Sequence, residues 1–389
     1  MSHAALRASY SLVGEQTTAS NAYPIFRASE AWRPQGDMQE TGKELYSLGN
    51  SDLTYEKKNE FNFGVDLGFL RNRINLVTDF YWRDNFDLMG YMNTQGVGGE
   101  IRKFANVASM KSHGIEATLN TQNIVTQNWK WSTDLTFSYS KTKITDLLAQ
   151  TRVIDLVGTS GYTRVGYDHR ALFSIPFVGL NDEGVPQIIN EDGEVTTTNI
   201  NFQEYEKLDF LKYEGPTEPT ITGGFNNSIS YKNLKLNIFI TYSFGNAIRL
   251  DPVFSSSYSD MSAMPKEFKN RWVIPGDEKV TDIPAIASVR QVMNDNYLGY
   301  AYNAYNYSTA RVANGGFIRL KDVSLTYDLP HSIISKIRLA TCSVKLDATN
   351  LLLLYSDKKL NGQDPEFVNA GGVASPLSKQ ITFTLRLGL

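Results

Sequence analysis

Phe61–Phe69, FNFGVDLGF, followed by Ile74–Trp82, INLVTDFYW, is the stretch that decides the fold. In the first segment the odd positions are Phe61, Phe63, Val65, Leu67 and Phe69, and the even ones are Asn62, Gly64, Asp66 and Gly68. In the second, Ile74, Leu76, Thr78, Phe80 and Trp82 share the apolar parity. A β-strand turns successive side chains to opposite faces, so this pattern makes a ribbon oily on one side and wet on the other. Alternating segments of about ten residues that end in aromatics are how a transmembrane β-barrel reads in sequence. The expected fold class is therefore all-β, an antiparallel barrel of an outer membrane, with transport as its leading function.

The pattern recurs along the chain. Ile115–Leu119 pairs with Trp129–Tyr139, Phe225–Tyr231 with Leu234–Phe244, and Phe317–Tyr327 with Leu339–Leu346 across LPHSIISKI. Leu6–Val13 and Ile381–Leu389 add one strand at each end, for about ten in all. Between pairs lie long polar stretches: Gly14–Tyr55, Asp84–Lys103, Ala149–Thr217, Gly245–Gly315 and Tyr355–Ser378. Short turns on one side and long loops on the other match an outer-membrane barrel, whose long side is extracellular. Connections in a compact soluble domain run only a few residues. Phe69, Trp129, Trp131 and Tyr231 lie by short turns, and Trp82, Tyr139, Tyr242 and Phe244 by long loops, which predicts two interfacial girdles. No charge falls on the apolar parity in the hairpin centres, where Arg or Lys would cost about 2–4 kcal/mol.

Composition sets bounds without choosing. The 389 residues are 41% hydrophobic, with a net charge of −3. A mean hydropathy of −0.30 suits a soluble protein, but half of every barrel strand faces a polar lumen. No run approaches the ~18 apolar residues of a spanning helix. A pI near 5.9 argues against a nucleic-acid partner. The single cysteine, Cys342, sits on an apolar-parity position and reads as a small hydrophobe. MSHAALRASYS has no basic start followed by an apolar run, so a leader is expected upstream, in a longer protein of which this is a part.

Catalytic chemistry is not written in the chain. His3, His113, His169 and His331 lack metal-ligand spacing, and His113 reads as a wet lumen residue. There is no nucleophile elbow and no phosphate-cradling loop, so neither enzyme activity nor a cofactor nor a metal is expected. The acidic stretch Gly184–Thr196 is a poor calcium loop, because Ile188 and Ile189 precede its donors. Gly223–Gly224 within a strand predicts a bulge or a close backbone contact. The candidate substrate-binding residues are Tyr297, Tyr300, Tyr302, Tyr305 and Tyr307, in the extracellular-loop segment YLGYAYNAYNY. Their rings can stack on sugars, or else pack the loop on itself. The inward polar set (Asp66, Asp79, Glu116, Asp134, Lys235, Lys345 and Asp347 among it) carries both charges and predicts a wetted wall.

Several segments also resemble, in order, the SusC/RagA-type TonB-linked outer-membrane proteins: LRASYSLVGE (Leu6–Glu15), Glu56–Met89, Asn106–Asn120, NRWVIPGDE (Asn270–Glu278), FIRLKDVSLTYDLP (Phe317–Pro330), DATNLLL (Asp347–Leu353) and DPE (Asp364–Glu366). The resemblance implies that residues 1–389 are about ten carboxy-terminal strands of a 22-strand-class barrel, without plug, TonB-contacting segment or signal peptide. It implies uptake of oligosaccharides or peptides, a SusD-like surface lipoprotein as lid, and coupling to the TonB complex through a missing amino-terminal part. It places the chain in outer-membrane lipid of a Bacteroidetes-type cell. Leu389 departs from the aromatic with which such barrels usually end. The competing reading is a soluble, secreted β-rich carbohydrate-binding protein.

Overall fold

The computed structural model describes residues 1–15, 23–32, 39–47, 49–96, 101–198, 200–253, 266–287, 291, 293, 298–335, 339–368 and 378–388. These form nineteen strands: β1 (His3–Glu15), β2 (Ile25–Trp32), β3 (Gln39–Ser47), β4 (Glu56–Phe69), β5 (Ile74–Asn93), β6 (Arg102–Val125) and β7 (Trp129–Leu147) come first. Then follow β8 (Ala171–Ser174), β9 (Phe177–Leu180), β10 (Pro186–Ile189), β11 (Val195–Thr196), β12 (Lys212–Pro216), β13 (Ile221–Tyr231) and β14 (Leu234–Phe244). The last are β15 (Ala247–Arg249), β16 (Val312–Asn314), β17 (Phe317–Asp328), β18 (Thr341–Tyr355) and β19 (Gln380–Gly388). Three short helices join them: α1 (Val153–Val157), α2 (Leu298–Asn306) and α3 (His331–Ile334).

Ten strands make one antiparallel sheet in the order β1-β4-β5-β6-β7-β13-β14-β17-β18-β19. Each barrel strand pairs with the next in the chain, so every second connection lies at the same end. The β4–β5, β6–β7, β13–β14 and β17–β18 connections form the short end, and the large loops gather at the other. The β4–β5 turn places Leu70, Arg71 and Asn72 at φ of 51°, 58° and 62°. Arg71 N–H donates to Ser2 Oγ at 2.7 Å, tying the turn to the start of the chain.

Register aligns side chains into rows. Trp131, Ile229, Leu236, Leu325, Leu346 and Phe383 stand opposite one another across six neighbouring strands. The adjacent row on the other face is Lys130, Ser230, Lys235, Thr326, Lys345 and Thr384. No second layer covers the apolar face among the described residues: Ile381 is 74% exposed and Phe383 67%. Phe63, Leu76, Phe137 and Ile238 are likewise half-exposed rather than buried. A soluble sandwich would bury this face, so the competing reading fails on its first requirement. The outward face is not uniformly greasy. Trp131 Nε1 and Thr133 Oγ1 both donate to Asn227 Oδ1, at 3.0 and 2.9 Å, which satisfies a polar residue facing lipid.

Three findings correct the sequence reading. Asp84–Lys103 is mostly not a loop, since β5 runs to Asn93 and β6 starts at Arg102. Beyond Trp82 the outward residues become charged while backbone pairing continues, so the hydropathy signal stops before the strand does. Likewise Gly14–Tyr55 contains the β2–β3 hairpin. Finally, His113 is an exposed outward residue directly opposite Trp82, not a lumen residue.

Glycines make room for large side chains laid flat on the sheet. A Cβ at Gly223 would come within 2.3 Å of both Thr136 O and Tyr242 Oη, and the Tyr242 hydroxyl donates to that same carbonyl at 2.9 Å. On the inner face Tyr81 covers Gly114 in the same way.

Candidate functional site: a polar inner wall beneath a packed loop assembly

The inner wall is built from short ionic clusters. Arg7 Nη2 reaches Asp66 at 2.9 Å and Asp79 at 3.1 Å, crossing above Gly64, where a Cβ would lie 2.7 Å from the guanidinium carbon. Glu60 receives Arg83 at 2.9 Å and Lys58 at 3.1 Å. Asp134 accepts from Asn120 at 2.8 Å and from Asn226 at 3.3 Å. Lys345 meets Asp347 at 3.0 Å. These groups stay partly hydrated, which screens their attraction. They form a wall of mixed sign, suited to passage of a polar solute and selective for neither charge. At its loop end Thr222, Thr241, Ser243, Asn246, Phe317 and Glu366 line a cavity of about 540 Å³.

The hydrophobic core of the molecule lies in the loops. Val153, Leu156 and Val157 of α1 pack with Phe173, Ile175 and Ile188, all essentially without solvent exposure. Three buried arginines fasten this assembly together. Arg249 donates to Ser308 O at 2.8 Å, Phe173 O at 2.6 Å and Ser174 Oγ at 3.1 Å, joining two loops. Burial pulls its pKa down to about 10, so it is still a cation at neutral pH. Arg311 pairs with Glu267 and donates to Asp251 O at 2.7 Å, while Asn361 from the last loop donates to Glu267 at 3.1 Å. Arg319 of β17 pairs with Asp364 and with Glu366 at 2.8 Å. Residues 251, 267, 319, 361, 364 and 366 thus hold the last two loops over the mouth. Sequence reading missed all three arginines, although Arg249 between Ile248 and Leu250 was a visible signal of a buried charge.

The tyrosine segment is divided between core and surface. Tyr297 lies outside the described residues. Tyr302 and Tyr305, on α2, are 2% and 1% exposed. The Tyr302 hydroxyl donates to Ala285 O at 2.7 Å, and the Tyr305 ring meets Phe177 edge-on at 5.4 Å. Burial raises the Tyr305 phenol above its usual range. Tyr307 packs on Phe202 at 5.8 Å. Among the described tyrosines of the segment, Tyr300 alone is at the surface, 53% exposed. The structure therefore uses Tyr302, Tyr305 and Tyr307 as packing, each against a different neighbour, with Tyr300 at the surface.

Gly184–Thr196 folds as the β9–β10–β11 hairpins. Asn190 Oδ1 accepts from Asp192 N and Glu194 N at 3.1 and 2.8 Å, and Asp192 pairs with Lys207 at 2.6 Å. Its oxygens are thus engaged in turn geometry and an ion pair. Gly184, at φ 74°, presses on the Trp272 ring, which a Cβ would approach to 2.5 Å. Trp272 Nε1 in turn donates to Glu278 at 3.1 Å, and Asp277 accepts from Val273 N at 3.0 Å and Ile274 N at 3.1 Å. This rigid turn holds Val273 and Ile274 outward, each 61% exposed.

A single-layer antiparallel sheet, greasy outside, ionic inside and roofed by large loops at one end, defines a β-barrel protein of the outer-membrane type. The family model described as TonB dependent receptor-like, beta-barrel matches residues 3–351, and the chain belongs to that family. TonB-dependent receptor P26 of Formosa agariphila is 28% identical over 94% of this chain and 36% of its own length. TonB-dependent receptor SusC of Bacteroides thetaiotaomicron is 22% identical over 99% of this chain and 37% of its own. The solved structure of the RagAB peptide transporter superposes with a TM-score of 0.73 at 25% identity, covering 98% of this chain and 40% of that one. The chain thus spans little more than a third of the length of these curated relatives.

Proposed function

We propose that this chain is the carboxy-terminal part of the barrel wall of an outer-membrane, TonB-dependent importer of oligosaccharides or peptides. One observation supports the reading above others: a lipid-facing sheet whose opposite face is a mixed-sign, hydrated wall leading up to loops fastened as one body. Such a wall passes polar, uncharged or zwitterionic cargo without trapping it. Its role is wall and vestibule, whereas energy coupling belongs to a plug and TonB-contacting segment outside this chain. Peptide cargo is the stated cargo of the RagAB relative, and the partnership with a SusD-like lid rests on the same likeness. The exposed apolar turn at Val273 and Ile274 is a suitable seat for that lid. Among the described tyrosines of the set, Tyr300 is the one exposed to solvent and available to cargo.

The test is uptake of labelled oligosaccharide and peptide pools by cells carrying the full-length receptor, with and without TonB. Uptake that persists unchanged without TonB would refute the importer reading. Val273→Asp with Ile274→Asp is expected to lower co-purification of the lipoprotein while the barrel stays folded. Equal recovery would remove the lid from this surface.

A further inference from the structure

The outward face changes character abruptly beyond the girdle on β5, β6 and β7. Trp82, His113 and Lys141 stand in one row, and Asp84, Lys111 and Lys143 in the next. Both rows face away from the lumen, because they continue the parity of Phe80, Ile115 and Tyr139. The β6–β7 register therefore places Lys111 directly opposite Lys143, and His113 directly opposite Lys141. Like charges directly opposite each other destabilise a strand pair. Asp84 lies 3.6 Å from Lys111 and offsets one charge. Lys141 and Lys143 make no ion pair among the described residues, and both are exposed. Of the nearby carboxylates, Asp168, bridged by backbone to Lys143, accepts the Tyr213 hydroxyl, Glu218 holds Arg170 at 3.0 Å, and Asp146, exposed in the next row opposite Ser109, is in ion-pair contact with neither lysine.

Height fixes what could meet this cluster. A two-residue step along a strand tilted by about 40° rises about 5 Å. Lys141 and Lys143 are one and two such steps beyond Tyr139, a girdle ring. Each polar boundary of a bilayer is about 5–8 Å thick. Lys141 thus falls within the headgroup layer on the lipid side of the wall, and Lys143, about 10 Å beyond Tyr139, stands just outside it, where its stem can lean back to the same level. Lysine stems can lie along the apolar face while their ends stay at that level.

We propose that Lys111, Lys141 and Lys143, with His113 beside them, form a binding site for the phosphate headgroup of an outer-leaflet lipid. The phosphate relieves the repulsion that the β6–β7 register builds in, and its acyl chains lie against the band below Tyr139. The site concerns the lipid shell of the barrel, not its cargo, and it stands whether or not the importer reading does.

The experiment uses the full-length receptor in neutral detergent, titrated with short-chain phosphatidylglycerol, short-chain phosphatidylcholine and inorganic phosphate. Phosphatidylglycerol is expected to bind the tightest of the three. Lys141→Gln with Lys143→Gln should weaken it by about tenfold or more, since each lysine near an anionic surface contributes separately. Lys130→Gln with Lys232→Gln, at the opposite end of the barrel, should leave it unchanged. Equal affinity for phosphatidylglycerol and phosphatidylcholine, or an equal loss in the distant variant, would overturn the site. Inorganic phosphate binding as tightly as phosphatidylglycerol would overturn its assignment to a lipid.

Discussion

A buried guanidinium that serves carbonyl oxygens is a structural tie, and Arg249 shows what such a tie supports. Replacing it by methionine keeps the volume but removes the guanidinium donors from Phe173 O, Ser174 Oγ and Ser308 O, the last keeping only the Arg311 N–H, at a cost of about 2–4 kcal/mol to the loop core. Hydrogen exchange in the full-length receptor should accelerate at residues 171–175 and 306–311, while heat-modifiable migration of the barrel is retained. Unchanged exchange there would show that the loops are held by their apolar packing alone. Legibility at this scale was uneven. Gly223 was recognisable as a close-contact glycine, and the structure lays Tyr242 across it. The tyrosines of 297–307 were recognisable as a cluster, but their fate was not. Tyr302 and Tyr305 alternate with Ala301 and Ala304 on one helix, and it is the neighbours Phe177 and Ala285, far off in sequence, that bury them.

Strand parity predicts opposite outcomes for adjacent substitutions. Leu135 faces lipid at mid-height on β7, between the Trp131 and Tyr139 girdles, and Thr136 faces the lumen beside Gly224. Leu135→Arg should cost about 2–4 kcal/mol in lipid-vesicle folding titrations, while Thr136→Arg should cost little, because its charge stays in water. Equal losses would mean that the faces are assigned wrongly. The alternation was legible because lipid and lumen impose opposite chemistry on successive residues. It ceased to be legible where strands rise above the bilayer and both faces meet water, hence the hidden ends of β5 and β6. The WVIPGDE turn follows a different rule. Glu278 accepts its own N–H, the Trp272 indole and the Gly276 N–H, which together hold its carboxyl below the usual 4.5 of a glutamate. A lowered folded pKa contributes stability above the ordinary glutamate range and loses it as pH falls through the lowered value. The Trp272 contribution to fluorescence, obtained by difference from Trp272→Phe, should stay constant from neutrality to about pH 4.5 and change only below it. The same low-pH change in Glu278→Gln would show that another group is responsible.

At the scale of the molecule, apolar burial and membrane contact occupy different places. The sheet gives its grease to lipid, and the only substantial cores among the described residues belong to the loops. That separation was foreseeable in outline, from short turns alternating with long loops. The fastening of the loops was not, because Arg249, Arg311 and Arg319 find partners 44 to 76 residues away. The sheet itself carries the last consequence. β1 bonds only to β4 and β19 only to β18, so each has one row of backbone donors and acceptors with no partner among the described residues. Hydrocarbon does not tolerate such an edge, where each unmet group costs several kcal/mol. If these strands belong to a larger barrel, the edges are paired there by strands outside residues 1–389. The 389-residue chain produced alone should then associate through its edges and migrate identically with and without boiling, whereas the full-length receptor should be heat-modifiable. A monodisperse, heat-modifiable product from this chain alone would require β1 and β19 to close on each other. A ten-strand barrel would then stand by itself, and the larger wall proposed for it would be wrong.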